Sequence, residues 1–98
     1  MKQQPVRRVL VVDDEPAVRG MLTASLEMAG FKVVEAESAS SALHEIANSA
    51  PDLMLIDWMM PQVSGLELCR RLRRNPDTAS IPLILLTARE EENAKITG

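Results

Sequence analysis

The chain has 98 residues, the length of one small domain with one modest core. Apolar residues make up 46% of the chain and charged residues 26%, a balance typical of a globular protein and unlike that of a disordered one. The net charge is −3 and the only aromatic residues are Phe31 and Trp58. This is a poor composition for a nucleic-acid surface, so we expect this chain itself to make no contact with nucleic acid.

A buried strand followed by a helix is predicted near the start of the chain. Residues 9–12 are aliphatic without alternation, the pattern of a strand covered on both faces of a parallel sheet. The acidic residues 13–15 and Pro16 predict the first turn of a helix, and Gly30 its left-handed end. Helical spacing predicts an inward face made by Val18, Met21, Leu22 and Leu26.

Two further strands enclose a second helix. Residues 31–36 predict a short strand, and Ser38 is a suitable N-cap for the helix after it. Pro51 ends this helix, and residues 53–56 predict another doubly buried strand that ends at Asp57. The inward face of the second helix is predicted to contain Ala39, Ala42, Leu43, Ile46 and Ala47.

The alternation of strands and helices continues to the end of the chain. A third helix is predicted over residues 65–74, and a fourth strand over 81–86, ending at Thr87. The acidic run 90–92 predicts the start of a fourth helix, because acids favour the positive end of the helix dipole. The order predicts an α/β fold, a doubly wound parallel sheet with helices on both faces.

Polar side chains end three of the predicted strands: Asp13 and Asp14 the first, Asp57 the third and Thr87 the fourth. Ligands bind beyond the carboxyl ends of the strands in such sheets. Carboxylates in one cleft repel unless a cation is present, and oxygen ligands without His or Cys suit Mg²⁺ or Mn²⁺. A carboxylate beside such a metal can attack phosphorus. The alternative is that the Asp pair caps a helix and Asp57 is a loop residue; the coincidence of three acids at one sheet edge favours the site.

Three motifs carry a resemblance to a known family. Residues 9–15 (VLVVDDE), residues 55–61 (LIDWMMP) with Gly65, and residues 85–89 (LLTAR) resemble the receiver domain of bacterial two-component response regulators. The resemblance implies a flavodoxin-like strand order, 2-1-3-4. It also implies that Asp57 is the phosphoacceptor, taking a phosphoryl group from a phosphohistidine of a sensor histidine kinase.

The resemblance implies roles for the other site residues as well. The cofactor would be Mg²⁺ at a site that includes Asp57, with Asp14 as a direct ligand and Asp13 acting mostly through water. Met59 would supply its backbone carbonyl to the metal. Thr87 would be the switch hydroxyl that moves toward the phosphoryl group.

The chain also departs from the family pattern. A fifth strand ending in a lysine, and a fifth helix, would lie beyond residue 98, so residues 1–98 are expected to be a receiver domain truncated at its C-terminus. Lys95 is no substitute, because it lies in the predicted fourth helix, and phosphoryl transfer to this chain is therefore expected to be slow. The motifs are closest to regulators with a winged-helix DNA-binding domain, which implies a transcription role for the parent protein. The N-terminus has no signal-peptide stretch and no apolar run could span a bilayer, so a cytoplasmic protein without membrane contact is expected.

Two other functions remain open at this stage. An aspartate-based, Mg²⁺-dependent phosphohydrolase of the haloacid dehalogenase type also uses an acid at a strand end, but as Asp-x-Asp on the first strand rather than adjacent Asp13 and Asp14. A pseudo-receiver used only for protein binding is the second alternative. Binding of beryllofluoride with Mg²⁺ that requires Asp57 would favour the phosphoacceptor, and turnover of a phosphate ester the phosphohydrolase.

Three features outside the acidic rim have simple interpretations. His44 is predicted to be an exposed surface residue, and Cys69 a small core residue rather than a redox sensor. The basic cluster of Arg70, Arg71, Arg73 and Arg74 is predicted to be a solvated helix end favoured by the dipole.

Self-association of the chain is a further expectation. Without a fifth strand, the fourth strand is an edge with unpaired backbone groups, blunted only by Pro82. The expected uncovered face of the sheet contains Val9, Val11, Leu53, Leu55, Leu83 and Leu85.

Overall fold

A computed structural model describes residues 7–57, residue 60 and residues 62–86. Within these ranges the elements are β1 (Arg8–Val12), α1 (Pro16–Met28), β2 (Lys32–Ala36), α2 (Ala39–Asn48), β3 (Leu53–Asp57), α3 (Gly65–Arg74) and β4 (Leu83–Leu86). The predicted fourth helix lies outside the described residues, as do Met59 and Thr87. Among the helices described, none is long and apolar enough to cross a membrane.

The four strands form one parallel sheet in the order β2-β1-β3-β4. β1 is a central strand, β2 lies on one side of it, and β3 and β4 lie on the other side. The order confirms the doubly wound, flavodoxin-like arrangement. β1 and β3 are neighbours in register, with Val12 beside Ile56, so their carboxyl ends meet at the same edge of the sheet.

Apolar side chains form one core on each face of the sheet, because successive residues of a strand point to opposite faces. The larger core contains Leu10, Val12, Met54 and Ile56 together with side chains of α2 and α3. The smaller core contains Val9, Val11 and Leu55, and Leu22 and Leu26 of α1 pack against it. Both faces of β1 are therefore covered, as its unbroken aliphatic run predicts. The expectation that Val9, Val11 and Leu55 lie on an uncovered face was wrong, because α1 packs on that face.

Two helix starts use serine caps. The Ser38 side chain accepts a hydrogen bond from the Ser41 N–H at 3.1 Å, and the Ser41 hydroxyl accepts one from the Ser38 N–H at 3.2 Å, a reciprocal capping box. Ser64 accepts from the Glu67 N–H at 3.2 Å at the start of α3. The first cap confirms the prediction for Ser38, and α3 has the predicted bounds.

The inward faces of two helices are narrower than the sequence predicts. Val18 is exposed and Met21 is 61% exposed, because α1 reaches the sheet through Leu22 and Leu26 only. Ala47 in α2 is also exposed. The prediction was wrong at these three positions: helical spacing identifies an apolar stripe but not how much of it the sheet covers.

The side-chain parity of β4 also differs from the prediction. Leu83 pairs with Met54, and Leu85 pairs with Ile56, so both leucines lie on the face of the larger core. Ile84 is on the opposite face and is 49% exposed. The assignment of Leu83 and Leu85 to the face of Leu55 was therefore wrong. The pairing of β4 with β3 sets the register, and a shift of one residue in register moves every side chain of a strand to the other face.

Candidate functional site

Three carboxylates meet at the carboxyl edge of the sheet. Asp13 follows β1 and Asp57 ends β3, and the pairing of Val12 with Ile56 brings these two residues side by side. One carboxylate oxygen from each of Asp13, Asp14 and Asp57 lies within 4.8 Å of the other two. The side chains differ in setting: Asp13 is 4% exposed and Asp57 is 7% exposed, whereas Asp14 is exposed to solvent.

Asp13 and Asp14 do not cap helix α1. Helix α1 begins at Pro16 with Glu15 as its N-cap, and neither a side-chain cap nor an acidic residue in the first turn is present. The predicted acidic first turn is therefore wrong. Asp13 and Asp14 precede the cap and lie on the loop between β1 and α1, which leaves their carboxylates at the rim.

Asp13 is held at three points. Its N–H donates to the Ala36 carbonyl at 3.0 Å, its Oδ1 accepts from the Glu15 N–H at 2.9 Å, and its carbonyl oxygen accepts from Arg19 Nη1 at 2.7 Å. These contacts come from β2, the loop itself and α1. Asp13 is therefore positioned by the surrounding fold, and its second carboxylate oxygen has no hydrogen bond to any residue that the structure describes.

The donor set fits a hard divalent cation. Three carboxylates bring three formal negative charges into one small volume, and no His or Cys lies in the cluster. Mg²⁺ favours carboxylate oxygens and keeps several waters, and the exposure of Asp14 leaves the cluster open to solvent on that side. The residues present therefore fit a hard divalent metal ion.

Two predicted members of the site, Met59 and Thr87, lie outside the described residues. Leu86, the last described residue of β4, pairs with Asp57 in the sheet. Met60 is buried in the larger core. The roles of Met59 and Thr87 remain predictions.

Sequence reasoning missed Arg19. The residue contacts the main chain of Asp13 through Nη1 and the Glu35 carboxylate through Nε, at 2.7 and 2.8 Å. The hydrogen bond from Arg19 holds the pKa of Glu35 below its ordinary value of 4.5. The sequence offers one indication of this role, a basic residue one turn into the helix that follows the acidic pair. That position alone does not show which groups the guanidinium contacts.

The other residues considered from sequence have structural roles. His44 is exposed, as predicted, with Nε2 at 3.5 Å from Asn48 Nδ2. Cys69 is buried in the larger core, and burial raises the pKa of its thiol, which confirms a core residue. Three of the four α3 arginines surround the single carboxylate of Glu67 at 3.4–3.9 Å, and the fourth, Arg73, donates to the carbonyls of the loop before β4.

Comparison with known proteins identifies the family. Residues 9–98 match the family described as response regulator receiver domain. The chain belongs to this family. It is 49% identical over 92 residues to the phosphate regulon transcriptional regulatory protein PhoB of Pseudomonas aeruginosa. The aligned region covers 94% of this chain and 40% of that relative. It is 44% identical over 91 residues to the response regulator MprA of a Mycobacterium species, covering 93% of the chain and 39% of that protein.

A solved receiver structure shows the same fold. The response regulator TrrA of Thermotoga maritima, solved in complex with Mg²⁺ and beryllofluoride, is 34% identical, with a TM-score of 0.81 over 94% of this chain and 78% of that one. These matches confirm the resemblance seen in the three motifs: the chain is a phosphoacceptor signalling domain of the receiver type. It spans about 40% of the length of the curated relatives it matches.

Proposed function

We propose that Asp57 is the phosphoacceptor of this receiver domain, with Mg²⁺ held by Asp13, Asp14, Asp57 and the backbone carbonyl of Met59. The observation that carries the proposal is the convergence of three carboxylates within 4.8 Å at the carboxyl edge of the sheet. The complex of TrrA with Mg²⁺ and beryllofluoride supports the same chemistry in a relative.

The step assigned to Asp57 is nucleophilic. A carboxylate oxygen of Asp57 forms a bond to phosphorus while the phosphorus–nitrogen bond of a phosphohistidine on a sensor histidine kinase breaks, and the imidazole leaves. Mg²⁺, when bound, neutralises charge on the transferring group. Asp57 is almost fully buried at the end of β3, which limits its motion and holds the nucleophile at the rim. Thr87 is assigned the switch hydroxyl that turns toward the phosphoryl group.

The wider role of the protein is proposed from its relatives. We infer that residues 1–98 are the receiver part of a longer cytoplasmic response regulator with a DNA-binding output domain, because PhoB of P. aeruginosa is a transcriptional regulatory protein. The receiver itself then acts as a switch and does not contact DNA or a membrane.

Self-association is proposed at β4. This strand is at one end of the sheet formed by the described residues, and the half-exposed Ile84 lies on its outward face. A second copy pairing there would cover the strand edge and place the side chains of a neighbouring strand beside Ile84. Sedimentation over a hundredfold concentration range tests this, and a constant monomer mass would contradict it. Ile84→Lys should shift a concentration-dependent mass toward the monomer.

Phosphorylation of the intact chain tests the site. The chain is incubated with acetyl phosphate, a small phosphoryl donor, with Mg²⁺ or with chelator, and its mass is measured. We expect one added phosphoryl group that requires Mg²⁺ and is lost in Asp57→Asn but kept in the control Asp77→Asn, an exposed acid on the loop before β4. Modification at a residue other than Asp57 would overturn the assignment.

Beryllofluoride and a phosphate ester separate the alternatives. Saturable binding of beryllofluoride with Mg²⁺ that Asp57→Ala abolishes supports the phosphoacceptor. Sustained turnover of p-nitrophenyl phosphate would instead support a phosphohydrolase. Absence of both phosphorylation and beryllofluoride binding would leave protein binding as the function of the domain.

A further inference from the structure

Arg19 joins three elements behind the acidic cluster. Its own N–H makes the first turn of α1 by donating to the Glu15 carbonyl at 2.9 Å. Its side chain, only 16% exposed, donates through Nε to Glu35 Oε1 at 2.8 Å and through Nη1 to the Asp13 carbonyl at 2.7 Å. The guanidinium therefore connects the end of β2, the start of α1 and the loop that carries the acidic pair.

The contact with Asp13 falls on a peptide group that controls two carboxylates. The Asp13 carbonyl and the Asp14 N–H belong to one planar peptide unit, so fixing the carbonyl fixes the plane. The orientation of that plane is coupled to ψ of Asp13 and φ of Asp14, and these angles contribute to the directions in which both side chains leave the main chain. The Arg19 contact thus acts on the direction of two carboxylates of the cluster without touching either.

We propose that Arg19 is a positioning residue for the cation site, acting through the Asp13–Asp14 peptide, and that Glu35 orients the guanidinium for this task. The inference rests on the proposed function, since it requires the acidic cluster to bind Mg²⁺. Removing a group that hydrogen-bonds to a metal ligand, without contacting the metal, commonly weakens metal binding by about 10–100-fold.

A purely structural role makes a different prediction. If Arg19 only joins β2 to α1 through the ion pair with Glu35, then Arg19→Gln and Glu35→Gln lower the stability of the fold similarly and leave the Mg²⁺ affinity of the folded chain unchanged. A positioning role instead requires Arg19→Gln to weaken Mg²⁺ binding in molecules that remain folded. Glu35→Gln should weaken it less, because the Arg19 contact with Asp13 remains possible.

The test is a Mg²⁺ titration of the folded chain, followed by tryptophan fluorescence. Trp58 is the only tryptophan in the sequence and is next to Asp57. We expect the dissociation constant for Mg²⁺ to be about tenfold larger in Arg19→Gln than in the wild type. The matched control is Arg70→Gln, which removes an exposed arginine from α3 and should leave the constant unchanged. Unfolding in urea with chelator, measured in parallel, reports the stability of each variant separately.

The variant Arg19→Lys keeps a cationic donor and should recover part of the affinity lost in Arg19→Gln. If Arg19→Gln does not fold, Arg19→Lys and Glu35→Gln carry the test, and wild-type affinity in both would overturn the inference. Wild-type affinity in a folded Arg19→Gln would overturn it as well, provided that Asp14→Asn abolishes the response. A wild-type chain without any Mg²⁺ response would overturn the proposed function and this inference together.

Discussion

Removing one charge from the acidic cluster should stabilise the metal-free fold. Asp14→Asn is the suitable change, because Asp14 is exposed and its side chain makes no hydrogen bond to another described residue. The substitution therefore breaks no hydrogen bond within the described residues. The three carboxylate oxygens lie within 4.8 Å of one another. At that separation two unit charges repel by about 0.9 kcal/mol in water and about 3.5 kcal/mol at an effective dielectric constant of 20.

The expected gain follows from this range. Asp14 interacts with two neighbours, and its exposure places each interaction near the lower figure, which salt reduces further. Asp14→Asn should therefore raise the free energy of unfolding in chelator by about 1–2 kcal/mol, and each kcal/mol corresponds to about 4–8 °C in Tm for a domain of this size. Mg²⁺ should narrow this difference: with a dissociation constant of about 1 mM, 10 mM Mg²⁺ stabilises the wild type by about 1.4 kcal/mol and the variant by less.

Urea unfolding followed by circular dichroism, in chelator and in 10 mM Mg²⁺, measures both effects. The control Asp77→Asn makes the same change of charge on the loop before β4, away from the cluster. A variant that is no more stable than the wild type in chelator would refute the repulsion argument. An equal rise in the control would assign the gain to net charge, and an unchanged Mg²⁺ effect in Asp14→Asn would exclude Asp14 as a ligand.

Three further predictions concern the fold around the site. Ser38→Ala should lower the free energy of unfolding by about 1 kcal/mol through loss of the α2 N-cap, whereas Ser40→Ala, an exposed helix position, should leave it nearly unchanged in urea unfolding. The hydrogen bond from Arg19 lowers the pKa of Glu35, so this pair stabilises the fold above pH 4.5 and the stability difference between wild type and Glu35→Gln should shrink as pH falls below that value. Burial raises the pKa of the Cys69 thiol, so iodoacetamide should alkylate the folded chain much more slowly than the urea-unfolded chain at pH 8, and equal rates would contradict a buried thiol.

Several features of the fold were readable from local sequence. The aliphatic runs of β1 and β3 predict strands covered on both faces, and each run ends at an acid, so the parallel order alone implies that Asp13 and Asp57 share one edge. Ser38 and Gly30 mark a helix start and a helix end through local backbone chemistry, and the structure has the cap and a positive φ of 98° at these positions. The cap and the helix end depend on residues within one turn of each other, and the strands on the composition of a short run, which is why the sequence predicts them.

Other features depend on how distant segments pair. The face on which Leu83 lies follows from its pairing with Met54, and a shift of one residue in that register would have exchanged it with Ile84. The exposure of Met21 is set by the part of α1 that reaches the sheet, and the helical stripe does not contain that information.

The acidic site shows the same division. The residue types and their places at strand ends, which the sequence determines, already indicate a hard cation and phosphoryl chemistry. The separation of at most 4.8 Å between the carboxylate oxygens exists because β1 pairs with β3, and the contact of Arg19 with the Asp13 carbonyl exists because α1 packs beside β1 and β2. Chemistry is carried by side chains and can be read along the chain, whereas distances and orientations arise from pairing between segments far apart in sequence, and only the tertiary structure decides them.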